Sequence, residues 1–284
     1  MLPLRYTLCD VFTQRPLTGN PLAVFTGAND LPDATLQAIA REMNLSETVF
    51  VLPRRGEGQA RLRIFTPKME LPFAGHPIIG AAAVVGRTIT VDVLTFELPE
   101  TTVPVALGCE GAEVRSARML QPLPRREAFD GAAVLAALGV ETSALPVELY
   151  DNGPRHVLVA LDDVEVLRGL QPNHSALAAA HDQTIAVFAR SGSGLEARVF
   201  APGAGVFEDP ATGSAAGPIA AFAVRHGWAS AGEFVEIAQG EAIDRPSRLL
   251  ARASGPIDAP EQVEVEGDVV IVGRGELRPF WRAG

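Results

Sequence analysis

The chain has 284 residues, 47% of them hydrophobic, and a formal net charge of −10. That apolar fraction supports packed cores and argues against disorder, and the acidic balance excludes nonspecific nucleic-acid binding, which needs basic patches. No apolar run approaches the ~18 residues of a membrane span and no leader-like pattern opens the chain, so a cytoplasmic protein without membrane partners is expected.

Residues 4–12 and 21–26 read as strands flanking a turn at Pro16–Asn20. Residues 33–43 place Leu36, Ile39, Ala40 and Met43 on one helical face, with Asp33 as the N-cap. Strands follow at 47–52 and 60–66. Residues 77–86, with Gly80 and three consecutive alanines, form a helix apolar all round, which belongs inside a lobe. Strands are expected near 90–98, 102–107 and 112–119, and the Pro-rich stretch Gln121–Arg126 reads as a linker.

The second half repeats the plan. A helix near 130–138, a strand at 156–161 and a short helix near 173–181 lead to strands at 183–189 and 195–201. A second apolar helix covers 214–227. Pro218 is tolerated in its first turn, which places the helix start near Gly213 or Ser214. Strands near 233–238, 247–253, 261–266 and 268–273 follow, and the apolar tail Leu277–Trp281 is expected to pack back onto a lobe. Many short strands with one buried helix per lobe make an α+β pattern, not a doubly wound sheet. The expected lobes are 1–124 and 125–273, with about 274–284 returning to the first.

Two segments read alike: RIFTPKMELPFAGHPIIGAA at 63–82 and RVFAPGAGVFEDPATGSAAG at 198–217. Phe65 and Phe200 are 135 residues apart, and Gly75 and Gly213 are 138 apart. Upstream, Glu47–Val51 aligns with Gln183–Val187, and Asn20–Phe25 weakly with Pro154–Val159. Near-constant spacing over half the chain predicts an internal duplication, with a site between two similar lobes. Two unrelated strand–loop–helix units are the plainer alternative.

Gly75-His76 and Gly213-Ser214 each open a helix of small residues. A helix start presents unpaired N–H groups and partial positive charge, so two such starts could hold a carboxylate; tight turns into packed helices are the competing reading. Glu47 stands before an apolar strand, where partial burial would raise its pKa toward an acid–base range, whereas its aligned counterpart Gln183 cannot titrate. A solvent-facing edge glutamate is the commoner fate. His76 at a helix N-terminus would be a neutral, hydrogen-bonding ring. Asp209, before Pro210, has a turn-capping alternative. The histidines lack metal-ligand spacing, so no metal site is expected. Lys68, the only lysine among 24 basic residues, sits in a loop poorly suited to a Schiff base.

Together DVFTQRPLTGNPLAVF, LSETVFV, RIFTPKMELPFAGHPIIGAA and FEDPATGSAAG resemble the PhzF family, named for phenazine biosynthesis, of the diaminopimelate epimerase-like fold. The resemblance implies two pseudo-symmetric lobes, each a β-barrel-like sheet around a central helix, with the active site in the cleft. It implies a cofactor-independent isomerase, often a homodimer, in which a glutamate moves a proton between carbons of a small carboxylate such as a dihydro-hydroxyanthranilate. Glu47 matches that general acid/base. Asn20, Gly75, His76, Asp209, Gly213 and Ser214 match residues around the substrate. Related epimerases use one cysteine per lobe; the matching positions look like Ala74 and Ala211, so a two-thiol mechanism is not available. A one-base epimerase of an amino acid derivative and a non-catalytic small-molecule binder are the alternatives.

Overall fold

A computed structural model describes residues 3–29, 31–182 and 184–278. Contacts divide the chain into two units, one of residues up to Met119 together with those from Gly267 onward, the other Leu120–Glu266. The first break thus precedes the Pro-rich stretch, and the second falls inside a strand.

Unit 1 runs β1 (Leu4–Val11), β2 (Asn20–Thr26), α1 (Asp33–Met43), β3 (Thr48–Leu52), β4 (Ala60–Phe65), β5 (Glu70–Leu71), α2 (Gly75–Val85), β6 (Val93–Glu97), β7 (Thr102–Glu110) and β8 (Glu113–Leu120). β1 and β2 are antiparallel, β2 and β3 parallel, β3 and β4 antiparallel, β4 and β6 parallel, and β6–β7–β8 a meander. The curved sheet wraps α2, whose residues are all buried except Val84. Gly80 permits this packing: a Cβ there would lie 2.4 Å from Leu22 Cδ2 and 3.2 Å from Cys9 Sγ. On the outer face, Leu36, Ile39 and Ala40 of α1 pack with Phe25, Phe50 and Phe65. The N-cap of α1 is Pro32, not Asp33, whose carboxylate accepts from Arg63 at 2.6 Å.

Unit 2 runs β9 (Arg125–Ala128), α3 (Ala132–Leu138), β10 (Glu148–Asp151), β11 (Arg155–Leu161), α4 (Val164–Arg168), α5 (His174–Ala180), β12 (Thr184–Ser191), β13 (Gly194–Ala201), β14 (Val206–Asp209), α6 (Gly213–Arg225), β15 (Val235–Gln239), β16 (Ser247–Ser254) and the first part of β17 (Gln262–Leu277). Its pairings follow the same order: β10–β11 antiparallel, β11–β12 parallel, β12–β13 antiparallel, β13–β15 parallel, β15–β16–β17 antiparallel. Twelve of the residues of α6 are buried within it. This is the α+β, diaminopimelate epimerase-like plan, carried out once in each unit. Equivalent side chains fill the outer cores: Ala23, Phe25, Phe50 and Phe65 in unit 1 match Val157, Val159, Val187 and Phe200 in unit 2.

The duplicated arginines also do the same work. Arg63 grips Glu70 through two hydrogen bonds of 2.7 and 2.6 Å and lies 5.1 Å from the Phe65 ring. Arg198 grips Glu208 at 2.9 and 2.8 Å and lies 5.3 Å from Phe200. Each bidentate pair ties a short strand, β5 or β14, to its neighbour.

Ladder register corrects one sequence alignment. Thr48 pairs with Ala23 and Phe65, and Ile185 pairs with Val157 and Phe200. Thr48 therefore corresponds to Ile185, and Glu47 to Thr184 rather than to Gln183, which lies outside the described residues. Either residue leaves Glu47 without a titratable counterpart.

Two further expectations change. The strands at 261–266 and 268–273 are one strand, β17, whose second part pairs with β1 in unit 1. Gly267 does not break it; a Cβ there would meet the Phe12 ring at 2.1 Å, so glycine serves close approach. Pro218 is the sixth residue of α6, in its second turn. Of the tail Leu277–Trp281, Leu277 pairs with Leu4, and residues beyond 278 lie outside the described part.

Candidate active site

In unit 1, parallel β2 and β3 begin at the same sheet end, with Asn20 as the first residue of β2 and Glu47 just before β3. Asn20 is fully buried. Glu47 does not face solvent: its side chain is 15% exposed, and Oε2 lies 3.4 Å from His76 Nδ1. His76 is the second residue of α2, buried, with its pKa pushed down to about 3. The cause is desolvation of the imidazolium rather than the helix terminus expected from the sequence. The 3.4 Å separation is an approach within reach of a neutral ring's Nδ1–H rather than a formed hydrogen bond, and His76 Nε2 has no hydrogen-bond partner among the described residues. Gly75 and His76 carry first-turn amides, which an α-helix leaves without an internal acceptor. Three of the predicted residues, Glu47, Gly75 and His76, are thus brought together, with Asn20 at the same end of the sheet.

In unit 2, Asp209 ends β14 and is buried, and Val199 pairs with it across the sheet. Its Oδ2 accepts from Thr212 Oγ1 at 2.6 Å. Gln239 clamps the turn to α6: Nε2 donates to the Asp209 carbonyl at 2.7 Å, and Oε1 accepts from the Thr212 amide at 3.1 Å. Gly213 and Ser214 form the first turn of α6, both buried. The N-caps are Ala74 for α2 and Thr212 for α6. The position matching Ala74 is therefore Thr212, one residue beyond Ala211; neither is cysteine. Cys9 is buried in β1, its thiol pKa raised by desolvation, and Cys109 is exposed on β7.

Gln239 and three buried residues behind α6, Gln121, Asn152 and His156, belong to no motif in the sequence. Side-chain amides have no periodic signature, so only their long-range partners reveal them. Among the described residues no His/Cys/Asp/Glu group could hold a metal ion, and no helix is long and apolar enough to cross a membrane.

A family model described as phenazine biosynthesis-like protein, PhzC–PhzF, matches residues 9–275. The chain is 47% identical over 273 residues to a trans-2,3-dihydro-3-hydroxyanthranilate isomerase of Pseudomonas fluorescens, covering 96% of this chain and 98% of the relative. Among solved structures, a predicted epimerase from Pseudomonas aeruginosa superposes with TM-score 0.84 at 34% identity, covering 96% of this chain and 99% of that one. A PhzF-family protein from Bacillus anthracis reaches TM-score 0.85 at 24% identity, covering 98% and 100%. A hydroxyproline epimerase from Agrobacterium vitis, 11% identical, shares the fold with TM-score 0.71 over 97% of this chain and 91% of that one. By match length and identity together, the chain belongs to the phenazine biosynthesis-like, PhzC–PhzF, family.

Proposed function

We propose that the chain is an isomerase of a small carboxylate, trans-2,3-dihydro-3-hydroxyanthranilate being its first candidate substrate, with Glu47 as general acid and base. The observation that carries the reading is the shielded Glu47–His76 contact at the start of α2. Glu47 takes a proton from one ring carbon, and the electron pair left behind delocalises through the adjacent double bond. The protonated carboxyl, whose proton exchanges with water, then protonates another carbon, so the double bond moves and no electrons enter or leave. Neutral His76 orients the carboxylate through Nδ1 and presents Nε2 as an acceptor.

Asn20, Gly75, His76, Asp209, Gly213 and Ser214 bind the substrate in this reading. Within each unit, the first-turn amides of its buried helix, α2 or α6, are N–H donors suited to an anionic carboxylate. The same proposal takes a cytoplasmic homodimer that needs no cofactor.

Proton NMR of trans-2,3-dihydro-3-hydroxyanthranilate mixed with the purified protein tests the reading. The starting isomer is expected to disappear with multiple turnovers. Recovery of unchanged substrate at stoichiometric enzyme contradicts it, and inversion at a stereocentre with unmoved double bonds would replace it by epimerisation.

A further inference from the structure

Pro218 creates a defect in α6 that one buried side chain, Asn152, repairs and two others support. Beyond the first turn, each helix amide bonds the carbonyl four residues earlier, but proline has no N–H. The Ser214 carbonyl therefore loses its helical partner. Asn152 replaces it, donating Nδ2–H to Ser214 O at 2.9 Å. One residue earlier, Gln121 Nε2 donates to Gly213 O at 2.7 Å. Gln121 fits because position 217 is glycine: a Cβ there would lie 2.0 Å from its Oε1.

The amides are themselves held. Asn152 Nδ2 also lies 3.5 Å from Gln121 Oε1. His156, fully buried, sets Nε2 3.2 Å from Asn152 Oδ1. An amide oxygen only accepts, so this contact puts the imidazole proton on Nε2. His156 thereby orients Asn152 with its NH2 group toward α6.

We infer that Gln121 and Asn152 are positioning residues that hold the first turn of α6 so that its Ser214 N–H is aimed at the substrate. The peptide unit is planar, so the Gly213 carbonyl and the Ser214 N–H turn as one body, as do the Ser214 carbonyl and the Ala215 N–H. Gripping the Gly213 carbonyl from behind fixes the direction of the Ser214 N–H in front, and gripping the Ser214 carbonyl holds the next plane, whose Ala215 N–H donates to the Thr212 carbonyl at 3.0 Å. Proline at 218 gives up one helical bond and hands that plane to a side chain anchored in the sheet. This inference rests on the proposed substrate-binding role of Gly213 and Ser214.

The test combines Asn152→Leu, which removes the donor while keeping the branched shape, with Pro218→Ala, which restores an N–H to the Ser214 carbonyl. For Asn152→Leu, KM is expected to rise at least tenfold with kcat changed less than threefold. Hydrogen exchange of the Ser214 and Ala215 amides is expected to accelerate at least tenfold. Adding Pro218→Ala is expected to recover most of both losses, while Pro218→Ala alone stays near wild type. Wild-type KM and exchange in folded Asn152→Leu, or no recovery in the double variant, overturns the inference. If Asn152→Leu does not fold, Asn152→Asp keeps the size and swaps donor for acceptor. An unchanged KM and exchange there is equally contrary. Absence of turnover in the wild type itself would sink the isomerase reading alone, and hydrogen exchange would still decide the brace.

Discussion

Glu47 Oε2 and His76 Nδ1 lie 3.4 Å apart at the start of α2, one a carboxylate on the edge of a strand, the other a buried ring. Without general acid–base transfer from Glu47, the rate should fall by roughly 10²–10⁴. Glu47→Gln keeps shape and hydrogen bonding, so kcat is expected to drop by that factor with a KM change of only a few fold. Steady-state kinetics on the same substrate check it, and a variant within fivefold of wild type contradicts the role.

Buried histidines predict how stability depends on pH. His76 and His156 are held neutral, with pKa values pushed by burial from 6.5 to about 3. The unfolded chain then binds more protons than the folded one between those values. Stability is full above pH 6.5 and falls as pH drops toward 3. Lowering pH from 8 to 5 should cost on the order of 2 kcal/mol per histidine. Urea unfolding at the two pH values measures it, and His156→Gln should remove part of the slope; an unchanged slope would count against burial as the cause.

The duplicated arginines should differ in worth although their contacts match. Arg198 and Glu208 are 11% and 10% exposed, and Arg198 also donates to the carbonyls of Leu167, Arg168 and Leu170. Arg198→Met strands a buried carboxylate and should cost about 3–5 kcal/mol. Glu70 is 33% exposed, so water can resolvate it, and Arg63→Met should cost about 1 kcal/mol. Chemical denaturation of both variants decides, and equal losses contradict the argument.

Gly240 supports the turn that carries Asp209. Its φ is 85°, and a Cβ would lie 2.3 Å from the Arg245 carbonyl and 2.6 Å from that of Pro210. Both obstacles are backbone, so Gly240→Ala should cost at least about 2 kcal/mol. Thermal unfolding with a wild-type melting temperature would contradict this.

Much of the scaffold was legible from residues alone, because α2 and α6 are apolar on every side and the two Gly-polar junctions stand at near-constant spacing. The frame of β3 against β12 was not. Thr48-Val49 and Thr184-Ile185 look alike locally, while the true match is set by pairing with Phe65 and Phe200. Gly267 read as a strand break because sequence does not show the Phe12 ring that needs the space. Glu47 and the Gly75-His76 pair were visible as motifs, but their contact depends on a fold that brings residues 29 apart together. The brace behind α6 was invisible, since Gln121 and Asn152 find their carbonyl partners 92 and 62 residues away.

In the proposed reaction Glu47 carries the transferred proton. The most direct measurement is deuterium incorporation into product formed in heavy water, comparing wild type with Glu47→Gln. Wild type is expected to place solvent deuterium on the carbon that receives the proton, and Glu47→Gln to lose that incorporation together with turnover. Equal incorporation and equal turnover in both proteins would contradict the account.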